Sequence, residues 1–158
     1  MFINQVQCVR LDEFLNEYIM KTLEHLIFNL DQSPLSTVPF HSDVEGIDRY
    51  FSDTFPLHMA IHNVDRKDEV QMQYTKLHKH DVAEINVIIG TDQLQYRIGL
   101  EDKEFVVGAN TGIWIPAGVR HSANLVKGKG YFIAIRLDAI PEKLTKEKAE
   151  ILTASNAE

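Results

Sequence analysis

The feature that most constrains this chain is a change of hydrophobic period. From Pro56 onward the pattern repeats every two residues, with Leu57, Met59 and Ile61 alternating with His58, Ala60 and His62. Candidate strands follow at Val70–His80, Ala83–Ile89, Leu94–Leu100, Glu104–Val107, Gly112–Ile115, His121–Val126 and Tyr131–Leu137. Gly90-Thr91-Asp92 and Gly128-Lys129-Gly130 supply hairpin-type turns between them. Short strands at such close spacing, with no helical pattern between them, predict a mainly β antiparallel sandwich or barrel.

The preceding third reads differently. Leu11, Phe14, Leu15, Tyr18, Ile19, Leu23, Leu26, Ile27 and Leu30 form one apolar stripe at helical spacing. Asp31-Gln32-Ser33-Pro34 ends that helix, because Pro34 disfavours a helical residue before it. The segment from Leu35 to Asp53 reads as loop, with room for a short helix from Val44 to Phe51. After Pro141 a Lys/Glu-rich tail predicts one short surface helix. One domain is expected over 1–158: a helical extension at 1–54 packing on a barrel at 55–138, then a tail at 139–158.

Composition narrows the function classes. A net charge of -7, with no Lys/Arg stripe, argues against a nucleic-acid surface. The lone cysteine, Cys8, forms no internal disulfide and no Cys-rich zinc module. No basic-then-apolar leader is visible at the N-terminus, and no apolar run approaches the ~20 residues of a membrane span. A cytoplasmic protein is the expectation, without nucleic-acid or membrane partners.

Chemistry concentrates in His78-Lys79-His80-Asp81-Val82-Ala83-Glu84 and in Pro116-Ala117-Gly118-Val119-Arg120-His121. Two histidines one residue apart share a face of an extended strand. With a carboxylate shortly after and a third histidine on a later strand, they make a ligand set for one metal ion. Neutral imidazoles plus a carboxylate suit Fe, Mn, Ni, Co or Zn.

These two elements, on strands of this kind, resemble the cupin superfamily, whose small members are double-stranded β-helix (jelly-roll) barrels. The resemblance covers roughly Val70 to Asp138. It implies that His78, His80, Glu84 and His121 hold a metal, and that Asn124 stands, one position early, for an asparagine of the second motif. Family glycines are replaced by Met72 and Asn110, and one falls early, at Gly90. Asparagine tolerates a left-handed backbone better than most residues. None of these departures touches a ligand.

Period two extends the inference to neighbouring side chains. If His78 and His80 point inward, so do Lys76, Tyr74 and Met72. Glu84 likewise brings in Asn86 and Ile88, and Tyr96 and Ile98 are the inward residues of their strand. Tyr74 and Lys76 are therefore acid-base candidates, although Lys76 at a barrel mouth can instead extend to solvent. Asn86, Tyr96 and Arg136 are substrate-binding candidates. Arg136 can hold a carboxylate bidentately or form a salt bridge on the outside. His58 and His62 are expected at the surface or an interface, and Trp114 in core or interface.

The resemblance implies a mononuclear metalloenzyme acting on a small molecule. A dioxygenase with iron is the first expectation; a metal-dependent isomerase, lyase, cyclase or decarboxylase is the alternative. A non-catalytic ligand-binding or sensor barrel is a further one. An added helix and exposed strand edges favour a homodimer.

Overall fold

The computed structural model describes residues 26–70 and 73–137. Most of the expected N-terminal helix, Met72 and the expected tail helix lie outside the described residues. Where the helical stripe enters the described part, residues 27–30 lead without helix into strand β1, Asp31–Gln32. The helix therefore does not run on to Leu30. No helix among the described residues is long and apolar enough to cross a membrane.

Seven further strands follow: β2 Ile47–Phe51, β3 Met59–Arg66, β4 Glu84–Gly90, β5 Gln95–Leu100, β6 Lys103–Gly108, β7 Thr111–Ile115 and β8 His121–Arg136. Every pairing is antiparallel. One wall has the order β1-β2-β3-β8-β4-β7, and the other is made by β6 and β5 against the first half of β8. Inward side chains of the two walls meet in one core, with Tyr96, Ile98 and Leu125 packed with Val64, Ile88 and Phe132. The outward Trp114, opposite Ile85 in the register, is 57% exposed and lies outside that core.

Strands β4 to β7 match the sequence expectation closely. Three other expectations need correction. The stretch expected to be a short helix at Val44–Phe51 is strand β2 from Ile47, with Ile47 and Arg49 buried and Asp48 exposed. The Gly128-Lys129-Gly130 segment is no hairpin turn, because β8 runs through it as one strand of 16 residues. There β8 leaves β5 and enters the larger wall between β3 and β4. Gly128 has φ 111°, and a Cβ there would lie 2.3 Å from Leu94 Cα, so only glycine permits this crossing.

The third correction concerns Val70–His80, which is not a regular strand. Among its described residues only two isolated bridges occur, His41 with Thr75 and His78 with His121. Side chains replace the missing ladder. The Asn124 amide accepts from Thr75 N–H at 2.8 Å and donates to Thr75 carbonyl at 3.0 Å. The Tyr74 hydroxyl accepts from Leu125 N–H at 2.8 Å. With both Tyr74 and Thr75 buried, the alternation breaks at this point.

On β3 the buried face carries Ala60, His62 and Val64, whereas Met59, Ile61 and Asn63 are only partly covered. His62 is thus an interior histidine, packed against Phe132 at 5.4 Å between ring centroids. Burial first, then the charges of Arg49 and His41, lowers its pKa to about 3.

Asn124→Ala leaves both backbone groups of Thr75 buried without their partner, so stability should fall by about 2–4 kcal/mol. A urea midpoint equal to wild type would show that the arm is held otherwise. A histidine depressed in the fold costs stability as pH falls, because the unfolded chain takes up the proton first. For His62 that loss begins near the ordinary value of 6.5 and extends toward about 3. Urea midpoints of the metal-free protein should decline across this window, and His62→Phe should flatten the slope.

Candidate metal centre

The two histidine motifs are joined by their backbones before any side chain is considered. His78 N–H donates to His121 carbonyl at 3.0 Å, and His121 N–H returns a bond to His78 carbonyl at 2.7 Å. Pro116-Ala117-Gly118 makes the turn into β8, with Gly118 at φ 82° and Val119 N–H donating to Pro116 carbonyl at 3.2 Å. Gly118 N–H also donates to His80 carbonyl at 2.8 Å. The proline-glycine turn therefore fixes both the third histidine and the second.

His78, His80 and His121 converge, each offering a ring nitrogen, with these atoms all within 4.8 Å of one another. Nδ1 of His78 lies 2.8 Å from Lys76 carbonyl, and Nδ1 of His121 lies 3.0 Å from Val119 carbonyl. Each carbonyl can only accept, so Nδ1 carries a proton, and Nε2 is the donor atom of the neutral ring. Nε2 of His80 and of His121 are buried and have no hydrogen-bond partner. Burial chiefly lowers the pKa of His78, and burial followed by the Arg136 charge lowers that of His80 to about 4. Both rings are thus neutral donors at ordinary pH.

Glu84 opens β4 inside the barrel, 6% exposed. Its Oε2 lies 3.3 Å from His80 Nε2 and its Oε1 lies 3.6 Å from His121 Nε2. Burial alone would raise its pKa. The Asn86 amide bond at 2.7 Å first, then the His121 and His80 rings when they are protonated and the Arg136 charge, outweigh that, and the carboxyl sits below its usual range. The donor set of three imidazoles beside an ionised carboxylate fits a divalent transition ion.

The cavity in front of the cluster is about 50 Å³, and it shares wall residues with an outer cleft of about 440 Å³, the cleft being in the range of small-ligand sites. Arg49, His58, His78 and Arg136 border both parts. At the mouth Phe40 stacks on His78, with centroids 5.5 Å apart and planes 11° from parallel. Phe40 holds a left-handed backbone, φ 69°, which is uncommon for an aromatic residue.

Other sequence expectations fare unevenly. Arg136 does face the cavity, with Nε 3.4 Å from Glu84 Oε2, so its ion pair is interior rather than external. Asn86 lines the cavity and holds Glu84. Lys76 is exposed and lines neither part, because the alternation on which its inward position depended stops at Thr75. Tyr74 borders the cavity but is fully buried, and burial pushes its pKa far above the usual range. Its hydroxyl accepts from Leu125 N–H, which ties the arm to β8. Tyr96 stacks on Phe132 in the core, 5.0 Å between centroids, and does not line the cavity. His58 and His62, expected outside, border it.

Two cavity residues escaped the sequence reading. His41, its Nδ1 2.9 Å from Pro39 carbonyl, sits edge-on to His78 from a loop with no periodic signal. Arg49 was legible in principle: Ile47, Arg49 and Phe51 alternate with Asp48 and Tyr50 as a strand would.

No protein-family model matches the sequence, and no curated protein matches it. Several solved structures do align. KdgF from Halomonas sp. is 15% identical, over 68% of this chain and 88% of that chain, at a TM-score of 0.46. An RmlC-like cupin from Shewanella frigidimarina is 13% identical, over 74% and 99% of the two chains, at 0.45. FeII HppE is 15% identical over 58% and 48%, at 0.42. The resemblance rests on this chain's own architecture: two antiparallel β walls sharing β8, with a three-histidine cluster, fit a metal-binding cupin.

Proposed function

We propose that the protein is a mononuclear metal-dependent enzyme of the cupin type acting on a small organic molecule. His78, His80, His121 and Glu84 hold one divalent ion in this reading. One observation carries it: two buried Nε2 atoms, of His80 and His121, face a carboxylate and have no hydrogen-bond partner. A buried polar atom left unpaired costs about 1–3 kcal/mol, a cost that a bound ion removes.

Such an ion supplies Lewis acidity and, if it is iron, electron transfer with dioxygen. The chain's own residues do the rest. Carbonyls of Lys76 and Val119 hold two imidazole tautomers, Asn86 and Arg136 hold Glu84, and Phe40 covers one face of His78. Of the possible reactions we favour dioxygenation by iron, since this donor set suits a redox-active ion and the cleft admits a small substrate. Manganese, nickel, cobalt and zinc are compatible with the same donors. A non-redox isomerase or lyase is the second reading, favoured by the further imidazoles of His41 and His58 along the cavity wall.

Protein purified without added metal should contain about one transition ion per chain. His121→Ala should reduce that content about tenfold or more, whereas His58→Ala should leave it unchanged. Full metal in the His121 variant would overturn the ligand assignment. Iron-loaded protein should consume oxygen with one of a set of diketones, catechols and aminophenols. No uptake would exclude the dioxygenase reading in favour of the second.

A further inference from the structure

The chain is acidic overall, yet its cavity is not. Among the described residues bordering the cavity and cleft Glu84 is the one carboxylate, against two guanidinium groups, Arg49 and Arg136, of which Arg136 pairs with it. Arg136 already shares Glu84 with His80. Arg49 is 5% exposed and, among the described residues, pairs with no carboxylate. Its contacts are the Ser33 hydroxyl, which accepts from Nη1, and the Phe51 ring, 4.6 Å below the guanidinium carbon.

Burying an arginine without a counter-charge is costly, and burying it near a second arginine is more so. The fold nevertheless builds the arrangement on rigid strands. Arg49 stands opposite His62 on β3, and His62 opposite Phe132 on β8, while Arg136 closes the same β8. Hydroxyl and aromatic contacts fix the Arg49 fork without neutralising it. What completes such a site is a small oxyanion, for which the planar guanidinium offers paired donors.

We propose that Arg49 and Arg136 form an anion subsite that binds the carboxylate of a small organic acid, directing the rest of the molecule toward the three histidines. This deepens the enzymatic reading and rests on it for the direction of the substrate; binding of the anion itself does not require the metal. The cavity thus selects acids over their neutral analogues.

Binding of acetate, pyruvate, malonate and inorganic phosphate, and of the methyl esters of the three acids, is measured by isothermal titration on metal-free and zinc-loaded protein. At least one acid should bind at least about tenfold more tightly than its ester. Arg49→Gln should abolish that preference with metal content unchanged, and Arg49→Lys should keep part of it. An equal preference in wild type and Arg49→Gln, or no acid preferred to its ester, overturns the proposal. Arg49-dependent binding of phosphate alone would overturn the carboxylate assignment. Wild-type protein that takes up no metal but retains an Arg49-dependent acid preference refutes the metal centre and supports the subsite.

Discussion

The reciprocal pair of backbone hydrogen bonds between His78 and His121 is the contact on which the site depends. It joins an irregular arm to the start of β8, two parts of the chain more than forty residues apart. Because the bridging residues are themselves candidate donors, pairing the arm with β8 and gathering the histidines are one event. The Gly118–His80 bond adds the third histidine to the same clasp. These three are fixed at their own backbones, and the rings of His78 and His121 are then oriented by carbonyls two residues back.

Much of this was legible in the chain because a half-buried strand writes its faces into the sequence. Glu84, Asn86 and Ile88 alternate with Ile85, Val87 and Ile89, and the structure buries the first set. Asn110, standing where the resemblance has glycine, adopts φ 60°, as its tolerance of that region predicts. The failures have a common cause. Where side chains of Asn124 and Tyr74 substitute for a ladder, alternation carries no information, and Lys76 was assigned inward by a rule that had ceased to hold. On β3 the buried face carries His62, so a reading that sends polar residues to solvent inverts the faces. A functional cavity is where that assumption breaks.

Electrostatics divides the interior between two tasks. Burial keeps His78 and His80 neutral, and an amide plus nearby positive charge keep Glu84 ionised against the same burial. Opposite outcomes in one small volume come from different neighbours, not from different depth. The aromatic side chains reinforce this by packing without adding charge: Phe40 against His78, Phe51 beneath Arg49, Phe132 against His62.

One consequence belongs to β8 alone. His121 and Arg136 are its two ends, and a straight strand of that length would separate them by about 50 Å. Both nevertheless border a single cavity, because the backbone curls through Gly128 and Gly130. The strand acts as a curved ruler: its residue count sets which way each end faces. A one-residue insertion between the curl and either end would rotate that terminus out of the barrel and leave the other where it is. Length in this run is as binding a constraint as identity.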